Sequence, residues 1–141
     1  MNIYFSCSIT GGRQDQEMYR LLVESLLASG HDVPTAHLAW PDVMEQEVRI
    51  AAHEVYERDV AWVRGCDVVV AEVSTPSHGV GYEIALALSL GKPVLCCYQT
   101  GRRVSKMLLG NSQPGLRLAE YQTAEQLLNV THSFLNGLSE L

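Results

Sequence analysis

Apolar residues along this chain follow two alternating rhythms. Short β-branched or aromatic runs at Ile3–Cys7, Asp67–Val73, Pro93–Tyr98 and Leu116–Tyr121 have the density of strands buried on both faces. Asp32–Leu38 has the same character but is interrupted by Pro34, and predicts a weaker strand. Between these runs the apolar positions recur at helical spacing. Arg13–Ser29 carries Met18, Leu21, Leu22 and Leu26 and is closed by Gly30; Val43–Arg64 is ended by Gly65 and Val80–Leu90 by Gly91. Arg103–Leu109 reads as a short helix and Ala124–Leu138 as a closing one. Five strands alternating with five helices predict an α/β fold, a five-stranded parallel sheet of flavodoxin-like or Rossmann-like type in three α/β/α layers. No repeat, linker or low-complexity tract divides residues 1–141, so one domain is expected.

Composition narrows the function classes. At 141 residues a domain buries about 68–70% of its unfolded surface, enough for an ordinary core. Ten Lys and Arg against 16 Asp and Glu give a net charge of −6, without the basic stripe of a nucleic-acid polymer binder. A small phosphorylated ligand is compatible with that charge, because a helix N-terminus and one or two Arg can hold it. Cys7, Cys66, Cys96 and Cys97 lie in or beside apolar runs without CxxC spacing, which predicts buried thiols in a reducing compartment. The first residues lack the basic-then-apolar order of a leader, and no apolar stretch approaches the ~18 residues of a membrane span. A cytoplasmic protein is expected, or a nuclear one in a eukaryote, with no membrane contact.

Parallel sheets bind ligands beyond the carboxyl ends of their strands. The loops Ser8–Gly12, Ala39–Asp42, Ser74–Gly79 and Gln99–Arg102 are therefore the ones that matter. The first lacks GxGxxG and Gly-Lys-Ser/Thr, so neither a dinucleotide fold nor a P-loop is indicated. The third leads from a buried strand into a helix through Ser77, Gly79 and Gly81, where hydroxyls and amides can meet a phosphate. Glu83 follows in the first turns of that helix, where it is either a stabilising helix-start charge or an ionised nucleophile. Asp59 falls on the stripe Val48, Ala52, Val55, Trp62, Val63 of its helix, a costly place for an acid unless it is paired or used. Bonding to backbone, Arg58, Arg64 or Tyr56 is the plain alternative. Two carboxylates flanking one bond are the minimum for glycosidic cleavage. His and Cys spacing predicts no metal site, no cofactor is implied, and no GxSxG elbow supports Ser-His-Asp chemistry.

With these residues in view, the chain resembles the 2'-deoxynucleoside 5'-monophosphate N-glycosidases of the nucleoside 2-deoxyribosyltransferase superfamily. The resemblance runs through Ile3-Tyr4-Phe5, Ser8-Ile9, Gly11-Gly12-Arg13, Tyr56–Trp62, DVVVAEVSTPSHGVGYE, Gly91-Lys92-Pro93 and Gly101–Ser105. It implies a nucleophilic Glu83, an Asp59 that serves as acid for the departing base or positions the sugar, and a Tyr4 that holds and tunes Glu83. It further implies a 5'-phosphate gripped by Ser77 and the Gly79–Gly81 amides with help from the Ser8–Arg13 loop. Of that loop, Ser8, Ile9, Gly11, Gly12 and Arg13 fall on substrate-binding positions, and His37 falls on the base side. Ser105 matches a serine contributed by a neighbouring subunit, which implies a homodimer. Three departures bear on phosphate and base recognition: Cys7 where Gly is usual, Thr10 where a basic residue is usual, and His78 in place of an apolar residue. The implied reaction is hydrolysis of a deoxynucleotide to free base and 2-deoxyribose 5-phosphate. Interception by a second base would make the chain a transferase, and a nucleotide sensor without turnover is the alternative from another class.

Overall fold

The computed structural model describes residues 1–140. Its pivot is strand β1 (Ile3–Ser6), which pairs in parallel with β2 (Val68–Glu72), and β3 (Val94–Gln99) and β4 (Leu116–Tyr121) extend the sheet in the order β1-β2-β3-β4. β1 and β2 are buried along their whole lengths, as their unbroken apolar character requires. Strand alternation divides the core in two. Ile3, Phe5, Val70 and Leu95 face helices α1 (Gln16–Ala28) and, near the C-terminus, Ala124–Ser139. Tyr4, Val69, Ala71 and Cys96 face the opposite layer, which holds the helices Ala52–Gly65 and His78–Ser89. The three-layer α/β arrangement is thus as expected. All four cysteines are free and buried.

The sheet has four strands among the described residues, not five. Asp32 makes only an isolated parallel bridge with Asn2 on the free edge of β1. Pro34 has no N–H for a ladder, and the chain turns into a 3-10 helix at Ala36–Ala39. The backbone amides of β1 on that side still find acceptors: Ile3 donates to the Asp32 carbonyl at 2.7 Å and Phe5 to the Thr35 hydroxyl at 2.8 Å. The chain leaves β1 over the α1 face to reach Asp32 on one side and returns over the α3 face to β2 on the other, so all pairings stay parallel while the order of progress reverses at β1. That switch point is where a ligand crevice belongs.

The long helix expected over Val43–Arg64 is also divided, into α2 (Val43–Glu47) and α3 (Ala52–Gly65). Ala51 is extended, and its N–H donates to the Glu54 carboxylate at 3.1 Å, which restarts the helix. Val48 and Ile50 are β-branched and hold a helix less well than their neighbours. Val48, expected on the buried stripe, is 79% exposed. The remaining helices are α4 (His78–Ser89), α5 (Lys106–Leu109) and α6 (Ala124–Ser139). No helix among the described residues is long and apolar enough to cross a membrane.

Candidate active site

Alternation along β1 sends Tyr4 and Ser6 to the same face, toward α3 and α4. On α4 the residues Val80, Ile84, Ala87 and Leu88 form the buried stripe, and Glu83 lies at its flank, over the carboxyl end of β1. The Ser6 hydroxyl donates to Glu83 Oε2 at 2.5 Å. From α3, Asp59 enters the same cleft, a cavity of about 260 Å³ whose other walls include Val55, Val60, Val63 and Leu86. Tyr56 and Tyr82 stand at its rim with hydroxyls 3.4 Å apart. Two carboxylates from different helices thus share one mostly apolar cleft, with two hydroxyl-bearing side chains from β1 on the same side of the sheet.

Burial is the main force on Glu83 and pushes its carboxyl up to about 7; Asp59 adds to the rise. The Ser6 and Tyr4 hydroxyls and the Arg58 cation work in the opposite direction. Tyr4 is fully buried, and burial followed by the charges of Glu83 and Asp59 holds its phenol protonated. Its hydroxyl lies within electrostatic reach of Glu83 but completes no well-formed hydrogen bond. An unpaired buried donor beside a carboxylate is expensive to keep. It can offset that cost by donating to Glu83, or to a ligand, once a ligand closes the cleft.

Next to this cleft lies a loop cradle. Ser77 caps α4, its hydroxyl accepting from the Val80 amide at 3.4 Å. A Cβ on Gly79 would stand 3.9 Å from Ser77 Oγ and 4.0 Å from Glu83 Oε1, so the glycine leaves the space between cap and carboxylate open. A Cβ on Gly11 would overlap the Pro76 carbonyl oxygen and stand 2.9 Å from Ser8 Oγ. The loops after β1 and β2 can approach this closely only with glycine there. Ser8 is fully buried and its hydroxyl has no partner among the described residues. Gly12 adopts φ +134°, and Ile9 packs partly against the core.

Other expected site residues are placed differently. The Arg13 guanidinium donates to the carbonyls of Leu38 (2.9 Å), Trp40 (3.0 Å) and Ser8 (3.2 Å), and stacks on Tyr19. It organises loops with its donors rather than presenting them to the cleft. His37 meets Glu47 at 3.2 Å. Gly81 and Ser105 line a separate groove of about 840 Å³ between α4 and α5, shared with Ser77 and His78. Ser105 caps α5 and accepts from Met107 N at 3.2 Å.

Further polar residues stand at the site or near it. Ser6 was legible, two positions after Tyr4 on the same strand face. Arg58 donates from Nε to Asp59 Oδ1 at 2.8 Å, realising one of the partners open for that acid. Buried Asp15 accepts from Arg102, from Thr75 at 2.7 Å and from Gln99 at 3.1 Å, which ties three ligand-end loops together. Glu72, at the end of β2, is also fully buried, and burial pushes it up to about 7. Its donors are the Ser74 hydroxyl, the Ser74 amide at 3.3 Å and the Tyr121 hydroxyl at 2.9 Å. Among the described residues no cluster of three His, Cys, Asp or Glu is placed to hold a metal ion.

The sequence model of a family described as nucleoside 2-deoxyribosyltransferase matches residues 3–130. A Mus musculus protein named 5-hydroxymethyl-dUMP N-hydrolase is 43% identical over 129 residues, 89% of this chain and 73% of that protein. A Danio rerio protein of the same name is 34% identical over 143 residues, covering 99% of each. Among solved structures, the CMP N-glycosidase of Clostridium botulinum aligns with a TM-score of 0.72 over 95% of this chain and 99% of its own. Identity to it is 17%, a likeness of fold.

Proposed function

This chain belongs to the nucleoside 2-deoxyribosyltransferase family, and on that premise we propose that it hydrolyses the N-glycosidic bond of 2'-deoxynucleoside 5'-monophosphates. The products are a free nucleobase and 2-deoxyribose 5-phosphate. One observation carries the reading: a buried Glu83, held by Ser6 at 2.5 Å, shares a cleft with Asp59. The ionised Glu83 attacks C1' of the sugar as the bond to the base breaks, and Asp59 supplies the proton that the departing base takes up. Water then attacks C1' of the glycosyl ester, freeing Glu83 and returning a proton to Asp59. The absent 2'-OH suits this route, since it eases development of positive charge on the sugar. Tyr4 and Ser6 donate to Glu83 as it is released.

Ser77 and Gly79 at the start of α4, with Ser8, Ile9, Gly11 and Gly12 opposite, take the 5'-phosphate, supported by the helix terminus and the glycine-permitted loop contact; Gly81, whose amide donates to the Ser77 carbonyl at 3.2 Å, serves by closing the first turn of α4. Arg13 serves by holding the Ser8 loop, and His37 stands on the base side. The reading includes a homodimer in the cytoplasm, with Ser105 serving the neighbouring site; Met107, beside Ser105 and 83% exposed, offers apolar surface to cover. A monomeric mass in sedimentation at working concentration would remove the dimer.

The test of the reaction is a panel of deoxy- and ribonucleoside monophosphates, including a 5-hydroxymethylated pyrimidine, with and without the 5'-phosphate, assayed for free base. Release confined to phosphorylated deoxy substrates is expected, and no release from any member overturns the reading. A second free base added to the same reaction distinguishes transfer, seen as exchange, from hydrolysis alone.

A further inference from the structure

Asp59 does not stand alone in the cleft. Arg58 reaches it through Nε at 2.8 Å and turns its other two nitrogens to Glu47, with Nη1 to Oε1 at 3.1 Å and Nη2 to Oε2 at 3.2 Å. The guanidinium carbon lies 4.9 Å from the centre of the Trp62 ring. Glu47 Oε1 also meets His37 Nε2 at 3.2 Å, and His37 stands edge-on to the same Trp62. The side chains of His37, Glu47, Arg58 and Asp59 are only 14–23% exposed. The chain His37–Glu47–Arg58–Asp59 draws on three elements and ends at a site carboxylate.

The division of α2 from α3 makes this chain of contacts. In one continuous helix, eleven residues would separate Glu47 from Arg58 by about 16 Å along the axis. With the helix interrupted at 48–51, they are in contact at 3.1 Å. Arg58 and Asp59 are neighbours in sequence and would ordinarily diverge around the helix. They meet because Arg58 folds back over the Trp62 ring rather than extending into water. A forked, stacked and largely buried guanidinium is far better ordered than a surface pair.

We infer that Arg58 is the positioning residue of this site: it occupies Asp59 Oδ1, leaves Oδ2 as the oxygen for substrate, and links Asp59 through Glu47 to His37. This rests on the hydrolase reading. A second consequence is electrostatic. Asp59 is faced by Arg58 on its own helix, by Glu83 from α4 and by Tyr4 from β1, while Arg58 is faced by Glu47 from α2. The Arg58 cation favours the ionised Glu83 that the reaction needs.

The experiment compares wild type with Arg58→Ala, Arg58→Lys and Glu47→Gln, each normalised to folded protein. kcat, KM and the pH profile of base release are measured together with an NMR titration of the Glu83 carboxyl. For Arg58→Ala, kcat falls about ten- to a hundredfold, as misplacement of a reacting group does, while KM changes little. Loss of the cation disfavours the carboxylate, so the acid limb of the profile and the Glu83 midpoint both move to higher pH. Guanidinium ion in solution restores part of the Arg58→Ala rate. Arg58→Lys, which cannot fork to both acids, lies in between, and Glu47→Gln has the smallest effect. An Arg58→Ala protein with wild-type kcat and an unmoved Glu83 midpoint overturns the inference, whatever its melting temperature. Should wild type release no base, the hydrolase reading fails separately, and the Glu83 titration still decides for or against Arg58.

Discussion

Glu72 and Glu83 are two carboxyls at the same end of one sheet, on opposite faces, and burial pushes both up to about 7. Glu72 lies on the α1 and α6 side, where Ser74 and Tyr121 supply three donors and Ser74 in turn accepts from the Gln99 amide at 2.8 Å. Both of its oxygens have donors, and Glu72 is fully buried. Glu83 has one good donor, Ser6, a second hydroxyl nearby that completes no bond, and an open cavity shared with another acid. A raised carboxyl is therefore not in itself a mark of chemistry. Access and unmet hydrogen-bonding capacity separate the acid proposed as nucleophile from the structural one.

The strongest way to break this comparison is to exchange the carboxyl for an amide at each position. Glu83→Gln removes the nucleophile and should lower base release at least about a thousandfold, measured by product chromatography, with an unchanged circular dichroism spectrum. Wild-type turnover in that variant ends the assignment of Glu83. Tyr4→Phe sharpens the picture of unmet donors. It should cost about ten- to a hundredfold in kcat, the worth of a hydrogen bond to a charged group, without lowering the melting temperature, because the lost hydroxyl was unpaired in the resting fold. A large drop in melting temperature would mean that the hydroxyl is structural.

Glu72→Gln should leave kcat within about twofold, because Glu72 touches no part of the cleft, and act on stability instead. Both acids have folded values above the ordinary 4.5. Their contribution to stability is therefore full below about pH 4.5 and is lost as pH rises through about 7. Either amide variant should gain on wild type between pH 5 and pH 8, by an amount on the order of 2 kcal/mol. Denaturant titrations at the two pH values measure it. A gain that shrinks as pH rises has the wrong sign and would refute the burial argument.

Much of the architecture was legible because it rests on local pattern. Val68–Ala71 and Val94–Cys97 are long enough and apolar enough that only strands buried on both sides accommodate them, and Gly30 and Gly91 stop helices through their positive φ. The fifth strand was misread because apolar character alone does not supply a donor, and Pro34 withholds one. The division at 48–51 was hidden because no Gly or Pro marks it; an exposed Val48 is visible only in three dimensions. At the site, a helix start leaves Glu83 with two readings and a buried strand says little of Tyr4; the resemblance singles both out, and the fold sets them on one side of the sheet. Glu47 was not legible, since its meeting with Arg58 depends on that division. The inward turn of Arg13 likewise depends on carbonyls of residues 38 and 40, which no spacing announces.

The free edge of β1 has a consequence for how such a protein can change over generations. In a ladder strand, inserting or removing one residue turns every following side chain to the wrong face. Residues 33–51 are held instead by a threonine hydroxyl, a 3-10 turn and a few side-chain clamps. A segment tied in this way absorbs length changes as a surface loop does. His37 and Glu47 ride on it, whereas Tyr4, Ser6 and Glu83 sit on elements whose geometry the sheet enforces. On the proposed function, selectivity at the base end is thereby free to diversify by insertion and deletion, while the residues proposed to break the bond stay under the discipline of register.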